Sequence, residues 1–249
     1  MSANPAAAPK PTGAPKPIAG RDMLVATGVA ILVYAFAIQF VPLLRSETVT
    51  ASGKQLVLIG YLAANLAAFG AAISALLLRN PGYSWTDIGV RPADDRWKRK
   101  AVLLGLAATP LAFAFGLFLR RTFDLDSPGA DFFAPAGFSW IAAATIVLYG
   151  GILVPMFEEL FFRGLVYSWL RNRLTAVSAI PISALAFAVV HLRIEVMIVA
   201  FAMGCLLAWL YERSRSILPC ILLHQTFNTA QLVLVYGAVA LAPDRSGLG

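Results

Sequence analysis

Charge is what this chain has least of. Asp, Glu, Lys and Arg make up 13% of its 249 residues, against about 25% in an ordinary soluble domain. Hydrophobic residues reach 59% and the mean hydropathy is +0.74, which excludes a soluble globular protein. Cysteine is nearly absent too. Cys205 and Cys220 both fall in or at the edge of apolar runs, so they read as small buried hydrophobes and not as a disulfide or metal pair. No stretch is polar and long enough to fold alone, and nothing repeats. The alternation of barrel strands is missing, and lipid-exposed backbone must satisfy its own hydrogen bonds. The fold class that remains is all-α, a polytopic transmembrane helical bundle. The first 20 residues lack the apolar core of a cleavable signal and form a disordered Pro/Ala-rich tail.

Seven apolar runs are present, at 23–44, 55–78, 101–119, 140–160, 174–191, 194–211 and 217–241. About 20 residues cross the hydrocarbon core, so about seven spans are expected, with six to eight allowed. The net charge of +7 and pI near 9.7 would suggest nucleic acid in a soluble protein. Here the basic residues sit in loops between spans, no nucleic-acid partner is implied, and the charge reports orientation instead. With strict alternation and the N-terminus inside, the inner segments hold Lys10, Lys16, Arg21, Arg79, Arg91, Arg96, Lys98, Arg99, Lys100, Arg171, Arg173, Arg213 and Arg215. The outer ones hold only Arg45, Lys54, Arg120, Arg121, Arg193 and Arg245. That excess predicts an N-inside, C-outside protein. The organisation expected is a tail (1–20), an N-terminal transmembrane hairpin without internal polar groups (21–78), and a basic loop lying at headgroup level with Trp85 and Trp97 (79–100). A bundle (101–241) with its core at 140–236 follows, then a short tail (242–249).

Against this background a few polar residues stand out. Glu158 and Glu159 lie side by side in GILVPMFEELFFRG, His191 closes FAVVH, and His224 and Asn228 lie in LLHQTFN. Ionisable groups at membrane depth are costly and mark functional sites by default. Adjacent helical residues are about 100° apart, so the two glutamates should serve different partners. Arg163, four residues after Glu159, is placed to pair with it, which leaves Glu158 to face a cavity. Gly150, Gly151 and Pro155 predict a kink just before the glutamates. A lone intramembrane His or Asn more often makes an interhelical hydrogen bond. Together, a base, two imidazoles and a carboxamide on three helices form the inventory for activating water and stabilising an oxyanion. From the residues alone a proton or ion pathway stands beside hydrolysis, and a non-catalytic membrane scaffold beside both.

The order E-E-x-x-x-R (Glu158, Glu159, Arg163), F-x-x-x-H (Phe187, His191) and H-x-x-x-N (His224, Asn228), each within an apolar run, resembles the CPBP family of intramembrane proteases. That group includes type II CAAX prenyl endopeptidases and bacteriocin-processing or self-immunity proteins. The similarity covers 140–236, with TDIGVRP a weaker match. It implies cleavage of a membrane-proximal peptide or protein C-terminus by a water that Glu158 deprotonates, with His191 helping to hold the water. Glu159 would orient the site through Arg163, while His224 and Asn228 would stabilise the oxyanion. Glu158, His191 and His224 are also a conceivable ligand set for zinc. No H-E-x-x-H pair is present, however, and the histidines lie on other helices than Glu158, so a metal-free mechanism without cofactor is expected. The implied setting is a multi-pass protein of the cell inner membrane whose partners are the bilayer and a peptide or protein substrate.

Overall fold

The computed structural model describes residues 16–80, 82–124 and 138–241. The tail 242–249 and all but the end of the tail 1–20 lie outside those residues. Seven helices follow: α1 (Gly20–Ile38, continued by a 3-10 turn, Val41–Arg45), α2 (Ala51–Arg79), α3 (Asp95–Phe123), α4 (Trp140–Arg171), α5 (Ala176–Val189), α6 (Ile194–Ser214) and α7 (Leu218–Leu241). No strand occurs among the described residues. Six of the helices are long and apolar enough to cross a membrane.

The fifth is the exception. With 14 residues it reaches only about 21 Å at ~1.5 Å per residue, against ~30 Å of hydrocarbon. The expected span at 174–191 is therefore a partial one. By contrast α4, with 32 residues, extends to about 48 Å. Helix α5 thus places the α5–α6 turn, and with it His191, closer to the α4–α5 turn than the hydrocarbon is thick.

Helix α1 packs along α2, α5 along α6, and α7 fits between α3 and α4. One buried cluster joins α1, α2, α4, α5 and α6 through Ala26, Phe69, Ile73, Phe161, Phe162, Phe187 and Ala200. A second joins α3, α6 and α7 through Ala101, Leu207 and Leu223.

The glycines and proline of α4 do more than bend it. Turns Val147–Leu153 and Leu160–Tyr167 are wound as π-helix on either side of a regular α segment, Val154–Glu159. Pro155 has no N–H to offer the preceding turn, and this part of α4 presents carbonyls to α7. Asn228 Nδ2 donates to Gly150 O at 3.2 Å, Thr229 Oγ1 to Gly151 O at 3.3 Å and Gln225 Nε2 to Ile152 O at 3.0 Å. These donors lie at i, i+3 and i+4 of one face of α7. The deficit left by the proline thus fastens two helices together.

One end of the bundle gathers the N-terminal segment, the loop before α3, and the α4–α5 and α6–α7 turns. Tyr83 Oη donates to Pro17 O at 2.8 Å, Tyr167 Oη to Glu212 Oε2 at 2.8 Å, and the Ile217 N–H to Gly89 O at 2.9 Å. These are the segments assigned above to the inner face. The loop packs into this end of the bundle. Its Ile88 is fully buried against Gly164 and Ile217, where a Cβ on Gly164 would stand 2.8 Å from Ile88 O. Gly89 turns the chain at φ 90°, and a Cβ there would come within 2.3 Å of Tyr211 Oη, so only glycine fits. Trp97 pairs with Trp209 at 6.2 Å beneath Lys100, while Trp85 stays exposed. The stretch 95–100, expected as loop, forms the first turns of α3, capped by Asp94, which accepts from the Arg96 N–H.

Candidate active site

All six residues singled out from the sequence lie in the C-terminal bundle. The regular turn of α4 carries Glu158 and Glu159, which are 8% and 0% exposed, and the π turn that follows carries Arg163, 1% exposed. Arg163 Nη1 donates to Glu159 Oε1 at 2.8 Å, the pairing expected from the i, i+4 spacing. Its Nη2 donates to Gly204 O of α6 at 3.3 Å, and its guanidinium carbon lies 4.6 Å over the Phe187 ring. A fully buried cation is thus met by carboxylate, carbonyl and aromatic face, the combination that makes burial of a charge tolerable.

His224 enters from α7. Its Nδ1 lies 2.8 Å from the same Glu159 Oε1 that binds Arg163, and its Nε2 lies 3.7 Å from Glu158 Oε2. A carboxylate only accepts, so Nδ1 carries the hydrogen and Nε2 is directed at Glu158. The expectation that adjacent glutamates serve different partners is corrected here. A ring with a nitrogen on each edge meets both carboxylates, one per edge, although they diverge around α4. Glu159 Oε2 is buried with no hydrogen-bond partner.

His191 stands apart from this array, in the turn that follows α5. Its Nδ1 is 3.0 Å from Phe187 O of its own helix. The Phe187 ring meets both imidazoles edge to face, at 5.1 Å from His191 and 5.6 Å from His224. Asn228 is held on α4, its Nδ2 on the Gly150 carbonyl.

The sequence reading missed the part played by the N-terminal hairpin. Tyr34 of α1 donates to the carbonyl of Val190 and lies 3.3 Å from Tyr61 Oη of α2, within electrostatic range of Glu158. Buried Asn65 donates to Tyr61 O at 2.8 Å. The hairpin therefore does contain internal polar groups. Their sequence signal was available: Tyr34, Tyr61 and Asn65 interrupt runs of Ala, Val and Leu.

Two apolar grooves lie elsewhere, one of about 450 Å³ between the outer parts of α4 and α7 and one of about 240 Å³ between α1 and α2. Neither includes a glutamate of the site, which is packed shut. Among the described residues no three His, Cys, Asp or Glu side chains are grouped to hold an ion.

A membrane-embedded bundle that converges a buried Arg–Glu–His array on a second glutamate defines a polytopic membrane protein with a built polar site. Residues 138–230 match the family described as Type II CAAX prenyl endopeptidase Rce1-like. Over these residues the chain is similar to that family, in the same region whose motifs resemble the CPBP family of membrane proteases. A protein of Bacillus subtilis (strain 168) named "Putative membrane peptidase YdiL" is 28% identical over 93 residues, which is 37% of this chain and 38% of that protein. The match thus spans well under half the length of this relative. No solved structure matches the chain.

Proposed function

We propose that this protein is an intramembrane endopeptidase of the cell inner membrane, hydrolysing a peptide bond of a membrane-proximal peptide or protein C-terminus with a water activated by Glu158. The observation that carries this reading is the continuous array Arg163–Glu159–His224, whose free imidazole edge ends 3.7 Å from Glu158. That gap is too long for a direct hydrogen bond and short enough for one oxygen to touch both atoms. Arg163 neutralises Glu159, and Glu159 fixes the orientation of the His224 ring. With a hydrogen on both ring nitrogens, His224 balances the charge of Glu158, which lowers the cost of burying the cluster.

In this arrangement Glu158 takes a proton from the water, whose oxygen adds to the scissile carbonyl. The Nε2–H of His224 donates to the oxyanion. The proton held by Glu158 then passes to the departing amine nitrogen, which restores the carboxylate. Asn228 has a second Nδ2 hydrogen to add to the oxyanion contact, and His191 assists in holding the water. No step uses a metal. Because the four array residues are at most 8% exposed, a peptide reaches them only when helices part.

The test is cleavage of a library of membrane-proximal peptides by the purified protein and by Glu158→Gln. The amide keeps the shape but cannot accept the proton, so the rate should fall by roughly 10² to 10⁴ with folding intact. A Gln variant that cleaves as fast as the natural protein would remove Glu158 from this role. A strong chelator should leave the rate unchanged; a loss restored only by zinc would overturn the metal-free mechanism.

A further inference from the structure

His191 stands on an unusual piece of backbone. Helix α5 ends at Val189, the His191 and Leu192 N–H groups turn back to Ala188 and Val189, and the Arg193 N–H folds onto His191 O at 2.8 Å. Leu192 is left at φ 60°, a conformation that side chains other than glycine rarely adopt. The carbonyl of Val190 is among the last of α5, which have no partner within the helix. It is taken up by the hydroxyl of Tyr34, reaching from α1.

Donor counting gives this contact a direction. A carbonyl only accepts, so Tyr34 spends its one hydroxyl hydrogen on Val190. The Tyr61 hydroxyl, 3.3 Å away, must then donate to the Tyr34 oxygen. The chain runs Tyr61 to Tyr34 to Val190, and the residue after Val190 is His191. Among the described residues the imidazole is tied to α5, through Phe187 O, so where it stands depends on where this turn stands.

We propose that Tyr34, supported by Tyr61, is a positioning residue for His191: the N-terminal hairpin caps α5 and sets the place of this histidine in the site. The inference adds to the proposed hydrolysis, and only its kinetic arm rests on that reading.

The chain has two histidines, so diethyl pyrocarbonate followed by peptide mass spectrometry reports each separately, with no need for a substrate. His224 is 4% exposed, its Nδ1 bonded to Glu159, and serves as the internal control. In Tyr34→Phe the modification rate of His191 should rise about fivefold, the population change that one ordinary hydrogen bond controls, while His224 keeps its rate. Tyr61→Phe should shift His191 in the same direction by less. On a cleaved peptide, Tyr34→Phe should lower kcat roughly tenfold with KM unchanged, the scale of a misplaced catalytic group. An unchanged His191 rate in Tyr34→Phe overturns the proposal, as does an equal rise at both histidines, which would mean a generally loosened bundle. If the selective rise is seen but no peptide is cleaved by the natural protein, the protease reading fails and the positioning of His191 stands.

Discussion

His224 and His191 touch the same ring, Phe187, and are held by different means. His224 sits in the interior of a continuous helix, with a carboxylate facing each ring nitrogen and a buried arginine behind one of them. His191 sits in a turn with one residue in the left-handed region, its ring on a local carbonyl and its backbone tied to a tyrosine of α1. Ionic contacts within the C-terminal bundle secure the first. Packing and backbone contacts from the N-terminal hairpin secure the second. The family match begins at residue 138, yet part of what organises the site lies a hundred residues earlier.

The largest expected effect breaks the ionic side alone. Arg163→Ala leaves Glu159 buried without its cation and should cost roughly 3 to 5 kcal/mol. Combining it with Glu159→Gln should cost less than the sum, because the pair is removed together. Thermal melting in detergent decides; additive losses would mean that the two side chains do not act as a pair.

Next in size is the packing side. A Cβ at Gly204 would come within 2.9 Å of the Ala184 backbone and 3.3 Å of the Phe187 ring. Gly204→Ala should therefore push α5 from α6 and cost about 1 to 3 kcal/mol. The accompanying rise in modification should be greater at His191, which α5 carries, than at His224. A larger rise at His224 would erase the contrast between the two.

A smaller effect, of opposite sign, is expected at the turn. Leu192 is 56% exposed, so little packing is lost when it is replaced, and asparagine tolerates φ near 60°. Leu192→Asn should stabilise by about 0.5 kcal/mol. A destabilised variant would show that the side chain, and not the backbone, matters there.

The smallest concerns Asp87, outside the membrane. Its partial burial acts to raise its pKa, but the Lys16 and Ser84 N–H groups and the Ser84 hydroxyl together outweigh this and hold it below the ordinary carboxylate range. A depressed carboxylate contributes stability that is present above its unfolded pKa, near 4, and is lost as pH falls through the lower folded value. Acidification below pH ~4 should release the segment leading into α1. The effect on global stability should be ~0.2 kcal/mol, at the low end for an exposed charge contact. Hydrogen exchange at the Lys16 amide, compared with Asp87→Asn at neutral pH, checks it; protection unchanged in both would disconnect Asp87 from that segment.

Much of the ionic side was legible from spacing. An i, i+4 Glu–Arg pair is a property of one helix, so Glu159–Arg163 could be read directly, and the apolar surroundings of His224 marked it as a partner. The doubled contact of His224 could not be read, because it depends on how α7 is rotated against a helix whose pitch changes twice. Nor could the use of Asn228 on Gly150, since the proline announces a missing donor without saying which neighbour will use the exposed carbonyls. A tyrosine in an apolar run is usual near membrane interfaces, so Tyr34 by itself does not point to the site. Only the shortness of α5 brings its carbonyl end within reach of α1. The charge pattern, in contrast, identified the segments that meet at one end, because α5 and α6 return the chain to the end it left, whether or not α5 crosses.

The burial of Ile88 between Gly164 and Ile217 has a consequence for how the chain is made. The loop is synthesised well before the helices that cover it, and its Gly89 carbonyl finds the Ile217 N–H only after the last turn has left the ribosome. Until then Ile88 and Gly89 lack the cover that the α6–α7 turn gives them. Completion of this end is thus tied to insertion of α7, the helix that brings His224. A chain stopped short of it would display an unsealed apolar loop, which quality-control proteases are suited to find.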